Sequence, residues 1–190
     1  MALKQITAAA GEPLTLAEAK QHLRVTQSDQ DLVIERLIKA ARKHCEKITN
    51  HTFMRETWEK TLDAFPAGAI ELPKPPLYIV SSIRFLDVNN ELQTLDPTHY
   101  LADVESYPGW VLPRYGYTWP STYPEINAVR IRFQCGYADA DTVPEDIKTA
   151  ILLLIGHWYE NREATSDKPN NGIDFAVNAL LSPYRLMTLV

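Results

Sequence analysis

The most regular apolar pattern in the chain lies between Val143 and Glu163, VPEDIKTAILLLIGHWYENRE. Ile147, Ile151, Leu154 and Trp158 recur at spacings of four, three and four, which is one face of a helix. Leu152, Ile155 and Tyr159 form a second apolar row beside it. Pro144 suits the first turn, where its missing N–H costs nothing, and Glu145 and Asp146 put negative charge at the positive end of the helix dipole. Two rows make a stripe wider than a surface helix needs. Either the helix is a core element packed on both sides, or its second row meets another subunit.

Three further segments have helical spacing. In Leu14–Arg24, Thr15 and Glu18 form a capping box ahead of the apolar face Leu16, Ala19 and Leu23. Ser28–Asn50 is predicted as a long helix capped by Ser28, with Asp29 and Asp31 in its first turn. Its core face is Ile34, Leu37, Ile38, Ala41, Cys45 and Ile48. Phe175–Arg185, FAVNALLSPYR, contains a short apolar helix that stops at Pro183.

From Thr52 to Tyr137 the period changes, and most of the thirteen prolines fall here. Arg55–Leu62 alternates, with Trp58, Lys60 and Leu62 on one side and Thr57, Glu59 and Thr61 on the other. Ala128–Tyr137 alternates as well, with Val129, Ile131, Phe133 and Cys135 inward, until Gly136 breaks it. Shorter strands are predicted at Ala69–Leu72, Leu77–Val88, Glu91–Thr94, His99–Val104 and Trp110–Leu112, with a turn at Asn89–Asn90. Tyr107–Pro124, rich in Pro, Gly and aromatics, reads as a long ordered loop, and Ala164–Gly172 as a polar, turn-rich one. The expected fold is α+β and a single domain over residues 1–190. A helical bundle core, three main helices plus a short C-terminal one, spans 14–50 and 143–185, and a small antiparallel β lobe is inserted at 52–137.

Composition narrows the function. With 45% hydrophobic and 23% charged residues, the chain is that of a soluble globular protein. A net charge of −5 argues against tight nucleic-acid binding, which needs cations concentrated on one face. The densest group, Lys39, Arg42, Lys43 and Lys47, shares its helix with Glu35 and Glu46 and reads as a solvated face. Cys45 and Cys135 sit among apolar neighbours and are expected to be buried free thiols. The N-terminus lacks the basic and apolar regions of a signal peptide, and the longest apolar run is too short to span a membrane, so a cytosol is the default site of synthesis and folding.

No pattern points to catalysis, a metal or a cofactor. His157, Glu160 and Glu163 lie one turn apart, but a zinc hydrolase helix needs a second His. Asp139 and Asp141 fall in a turn before a helix. There is no glycine-rich phosphate loop and no Gly-x-Ser-x-Gly elbow. Tyr115, Tyr117, Trp119 and Tyr123 could stack on bases or anchor a protein partner. With only Arg114 nearby as a cation, protein contact or internal packing is favoured.

Five stretches, taken in order, carry a family resemblance: LTLAEAKQHLRV at 14–25, SDQDLVIERLIKAARKHCEKIT at 28–49, ELPKPPLYIVSSIRFLD at 71–87, AVRIRFQCGYADADTVPEDIKTAILLLIGHWYENRE at 128–163 and ALLSPYR at 179–185. In this order the chain resembles the head–tail connector (adaptor, or head-completion) proteins of tailed bacteriophages and prophages. The resemblance implies a homo-oligomeric ring, commonly of about twelve subunits in closed cyclic symmetry. Such a ring docks beneath the portal protein, extends the DNA channel and offers a platform to a downstream tail or head-closure protein. It implies location at the head–tail junction of the virion, after assembly in the host cytoplasm. No reaction, cofactor, metal or membrane is implied, and DNA passes through without specific binding. The N-terminal arm, the 164–172 loop and the C-terminal tail are candidates to order on docking.

Within that frame the surplus row Ile151, Leu152, Ile155 and Tyr159 is expected to pack subunits together. Leu180, Leu181, Tyr184 and Arg185, apolar yet terminal, are expected to engage the portal. Two rivals stand beside it: a DNA-binding packaging accessory protein using the aromatic loop and the basic helix face, and an enzyme with an unfamiliar site at His157 and Glu160.

Overall fold

Strand β8, Val129–Cys135, is the centre of the β part, and its alternation survives intact: Val129, Ile131, Phe133 and Cys135 are all fully buried. The computed structural model describes residues 2–161 and 171–186. They form two compact units, one from residues 1–10 and 55–137, the other from 11–54 and 138–190.

In the first unit, β8 is flanked on both sides by antiparallel partners. The five-stranded sheet runs β1 (Ala2–Thr7), β2 (Glu56–Leu62), β8, β4 (Leu77–Leu86), β5 (Leu92–Thr94). A three-stranded sheet runs β3 (Ile70–Leu72), β7 (Gly109–Pro113), β6 (Tyr100–Asp103). The two sheets bury one shared core, to which β3, β6 and β7 contribute Ile70, Leu72, Tyr100 and Val111. β4 reaches this core despite an irregular pattern. Register shifts between Leu77 and Ile79 and between Val80 and Ser82 let Leu77, Val80, Ile83 and Phe85 all face inward.

These sheets correct the expected fold class. The structure is not a helical bundle core with a small β lobe. It has four α-helices and two antiparallel sheets of eight strands among the described residues. The N-terminal arm is part of the correction, because Ala2–Thr7 is an edge strand paired with β2. All six of its residues are exposed, so it carries no buried alternation that could have marked it as a strand.

Gly109 in β7 is where backbone meets Leu77 most closely. A Cβ at Gly109 would lie 2.7 Å from Leu77 Cβ and 2.6 Å from its Cδ2. Cδ2 could swing away, but Leu77 Cβ is fixed to the backbone, so relief requires the strands to move. Gly109→Ala is therefore expected to destabilise the protein by about 1–3 kcal/mol, the usual cost of overpacking, read as a fall in the urea midpoint at unchanged slope.

In the helical unit, α1 (Leu16–Leu23) starts at the predicted capping box, with both Thr15–Glu18 bonds formed. Bonds donated to it by the Thr15 hydroxyl and by Thr15 N–H hold the Glu18 carboxyl below the usual carboxylate range. α2 (Asp31–Thr49) begins three residues later than predicted: Gln30 occupies the cap position and Ser28 supplies only its carbonyl, to Asp31 N–H. Asn50, in the left-handed region, ends it. α3 (Glu145–Glu160) and α4 (Asn171–Leu181) follow, the latter closed by a 3-10 turn at Ser182–Tyr184. The unit's core is Ala19, Ile34, Ile38, Ala41, Cys45, Ile147, Ala150, Ile151, Leu154, Ile155, Val177 and Leu181. Burial, with Glu46 adding to it, pushes the Cys45 thiol up to about 12, and Cys135 is likewise buried and free.

Arg42 does not lie on a solvated face. It is 2% exposed, and its guanidinium bonds Glu12 at 2.6 Å and Glu46 at 3.0 Å. Glu46 in turn accepts from Phe53 N–H at 2.9 Å, so one ionic cluster ties the α1 lead-in, α2 and the segment after α2 together.

Candidate interaction surfaces

Burial divides each of the two apolar rows of α3. Ile147, Ile151, Leu154 and Ile155 are in the unit's own core, while Leu152, Trp158 and Tyr159 are half-buried. Trp158 meets His44 of α2 edge-on at 5.7 Å between ring centres. Of the four residues expected at a subunit interface, Ile151 and Ile155 are therefore interior to the subunit, and Leu152 and Tyr159 reach its surface. Leu152 lines a groove of about 300 Å³ between α1 and α3 with Leu14, Glu18, His22, Glu145 and Lys148. α1 comes close to α3 here: a Cβ on Gly156 would stand 3.4 Å from the His22 ring.

The C-terminal residues are anchored on the helical unit. Leu181 is buried, and Tyr184 stands edge-on to His51 at 6.4 Å between ring centres. Burial and the neighbouring Asp146 raise the Tyr184 phenol above its ordinary range. Leu186 N–H donates to Thr49 O at 3.2 Å, and Arg185 Nη2 to Asn178 Oδ1 at 3.4 Å. Leu180 is half-buried and Arg185 exposed. The surface residue that sequence reasoning missed is Phe175, 77% exposed on α4. Its only sequence signal is the apolar run FAVNALL, which reads equally well as core.

The aromatic loop divides its four candidates. Trp119 stacks flat on Phe65 at 4.9 Å and donates from Nε1 to Gly68 O at 2.8 Å. Tyr117 stacks on His99 at 4.3 Å. Tyr123 ties the loop to β4 through its N–H and Leu86 O. Tyr115 is 99% exposed. An open cavity of about 610 Å³ lies beside these rings, lined by Phe65, Pro66, Pro113, Tyr117, Trp119 and Pro120. Thr118, Ser121 and Thr122 also line it, so rings and prolines stand beside hydroxyls there.

The polar side of the five-stranded sheet is cationic. Lys4, Glu59 and Arg132 stand in line across β1, β2 and β8, and Arg130 faces Arg84 across β8 and β4. Glu59, nearly buried, pairs with Arg132 at 2.9 Å and with Arg84 at 3.8 Å.

Among the described residues, His157 and Glu160 are not brought to a third metal-ligating side chain. His157 Nδ1 lies 3.0 Å from Asn161 Nδ2, Glu160 is exposed, and Glu163 lies outside the described residues, as does most of the 164–172 loop. Among the described residues no group of three or more His, Cys, Asp or Glu could hold a metal ion. Asp139 closes a turn with Thr142, accepting from its N–H at 3.0 Å. No described helix is long and apolar enough to cross a membrane.

The chain as a whole is similar to known proteins. The family model described as Head completion protein matches residues 12–186. No curated protein matches the sequence. Solved structures do match over the whole chain and 98% of their own. They include a neck of an empty GTA particle computed with C6 symmetry, at 24% identity and a TM-score of 0.80. Another is the virion of a native gene transfer agent (GTA) particle, at 23% and 0.79. A third is a neck of a native GTA particle computed with C12 symmetry, at 21% and 0.80. At such identities the likeness is one of fold.

Proposed function

The chain belongs to the head completion protein family, and from that premise we propose that it is a structural protein of the head–tail junction of a phage-like particle. It works by shape and self-association, and makes or breaks no bond. The observation that carries this is the family match itself, which runs through both units and through the α3–α4 region. The C12 neck that shares its fold supports a closed ring of about twelve copies. The ring sits between the portal and the next tail component and continues the DNA channel. The chain's net charge of −5 suits a conduit that should not grip phosphates. Native mass measured over rising concentration, alone and with portal protein, tests the proposal. A cyclic homo-oligomer that binds portal is the expected result, and a chain that stays monomeric and indifferent to portal would refute it.

Within the ring, Leu152 and Tyr159 serve subunit packing from the surface, while Ile151 and Ile155 support them from beneath. Portal engagement is assigned to α4 and the turn after it. Leu180 and Arg185 of the predicted set take part, Phe175 joins them, and Leu181 and Tyr184 hold the segment down. The double variant F175S/L180S removes exposed or half-exposed apolar surface without opening a buried site. It is expected to keep the ring and lower portal affinity about tenfold or more, because aromatic anchors dominate interface energies. Unchanged affinity in a pull-down or interferometry titration would count against that assignment. Tyr115, Tyr117, Trp119 and Tyr123 bound the surface offered to the tail-side partner, with Tyr115 the residue in reach of it.

A second reading, a DNA-binding packaging accessory, draws on the cationic sheet face of Lys4, Arg84, Arg130 and Arg132. Salt-sensitive binding of duplex DNA at submicromolar protein would favour it.

A further inference from the structure

We propose that the ring closes by charge: the cationic stripe of α2 on one copy docks in the anionic groove between α1 and α3 of the next. This rests on the ring proposal and names the two faces that meet.

The stripe is formed by Arg36, Lys39, Lys43 and Lys47, at spacings of three, four and four along α2. They lie on one narrow side of the helix, all four are exposed, and none makes an ion pair among the described residues. Leu32, 69% exposed, lies at the amino end of the same stripe. Like charges one turn apart repel, so a solitary subunit carries this stripe at a cost that an acidic neighbour removes.

The groove has the opposite character. Glu18 and Glu145 are part of its wall, Asp141 is near enough to act on Lys148, and all three carboxylates are exposed. Lys148, buried and bonded to Glu145 at 2.8 Å, is an internal counter-charge to them. Asp139 and Asp146 add exposed negative charge at the same end of α3. Leu152 lies in the groove and supplies the apolar contact that charge alone would lack.

A ring built head to tail needs two different, complementary faces on every copy. A stripe with uncompensated cations and a groove with surplus carboxylates meet that requirement within one unit of one chain. A second copy is favoured over DNA as the occupant, because an acidic protein repels a polyanion and four cations on one helix give it little to hold.

The experiment is charge reversal on the full chain. K39E/K43E reverses the stripe and D141K/E145K the groove. Each alone is expected to weaken self-association about tenfold or more, because like charges then face each other. Mixing the two variants is expected to restore assembly, since each unreversed face again meets its complement, and the fourfold variant is expected to assemble by itself. Wild-type assembly should also weaken as salt rises from about 0.15 to about 1 M, which shortens the screening length from about 8 to about 3 Å. Far-UV circular dichroism checks the fold; should D141K/E145K unfold, D141N/E145Q takes its place and is expected to loosen assembly. If the wild type assembles and the folded variants assemble equally well, this inference is overturned and the ring proposal stands. If the wild type never assembles, with or without portal, both fall. If K39E/K43E loses duplex DNA binding while assembly is unchanged, the stripe is a nucleic-acid face and the inference is likewise overturned.

Discussion

An Ile155→Asp chain is expected to be unfolded, and a Leu152→Asp chain folded but solitary. The two residues are three positions apart in the same apolar row of α3, yet Ile155 is fully buried and Leu152 half-exposed. An unpaired carboxylate at Ile155 would lie in the core shared by the unit's helices, where an isolated buried charge costs several kcal/mol after relaxation. A domain is stable by only about 5–15 kcal/mol, so most of that reserve would be lost. At Leu152 the carboxylate can turn to water, and the cost to folding is about 1 kcal/mol. The same substitution takes the Leu152 apolar contact out of the groove and adds a carboxylate that must be desolvated on docking, a loss larger than the added attraction to a cationic partner face, so assembly should be lost. Thermal unfolding and native mass on both variants separate the effects. A Leu152→Asp chain that still forms rings would remove this residue from the interface, and an Ile155→Asp chain with a native melting curve would contradict the packing of α3.

Arg42→Ala is expected to cost about 3 kcal/mol, the lower end of what is lost when one partner of a buried ion pair is removed. The lower end applies because Glu12 and Glu46 keep some access to water, with side chains 27% and 14% exposed. Three changes add up in this substitution: two carboxylates lose their shared cation, a cavity opens beside α2, and the link from Arg42 through Glu46 to Phe53 N–H is broken. Arg42→Lys should fall between wild type and alanine, because a single ammonium cannot reproduce the fork that bonds Glu12 and Glu46 together. Urea midpoints at constant slope check both. A loss below about 0.5 kcal/mol for alanine would mean that the cluster behaves as a surface pair.

Particular elements mark how far the sequence was legible. α3 and β8 were read correctly because each carries its period over more than one repeat, and both lie at the centre of their units, where every second or every third-and-fourth residue is buried. The Thr15–Glu18 capping box was legible because it is a bond between neighbours in sequence. β1 was not, because an edge strand with six exposed residues has no burial pattern to display, and it borrows its conformation from β2. The other seven strands each fall where the alternation or the turn signals put them, but that they join into two sheets rather than a small lobe was not legible, because strand pairing is set by partners and not by the strand's own residues. Short, proline-bounded strands such as β3 and β6 look marginal singly and are held by partners far along the chain.

The surfaces follow the same division. That α3 has an apolar excess, that the chain is acidic, and that aromatics crowd residues 107–124 were all properties of residue order alone. Which members of a row are interior is not such a property. Ile155 and Leu152 have equal claims in the sequence, and Arg42 looks like its neighbours Lys39 and Lys43. Only packing sent Ile155 into the core, turned Arg42 onto Glu12 from thirty residues away, stacked Trp119 on Phe65 and left Phe175 in water. Local spacing determines which side of an element a residue takes. Whether that side meets protein or solvent depends on what distant parts of the chain bring against it, and that is decided in three dimensions.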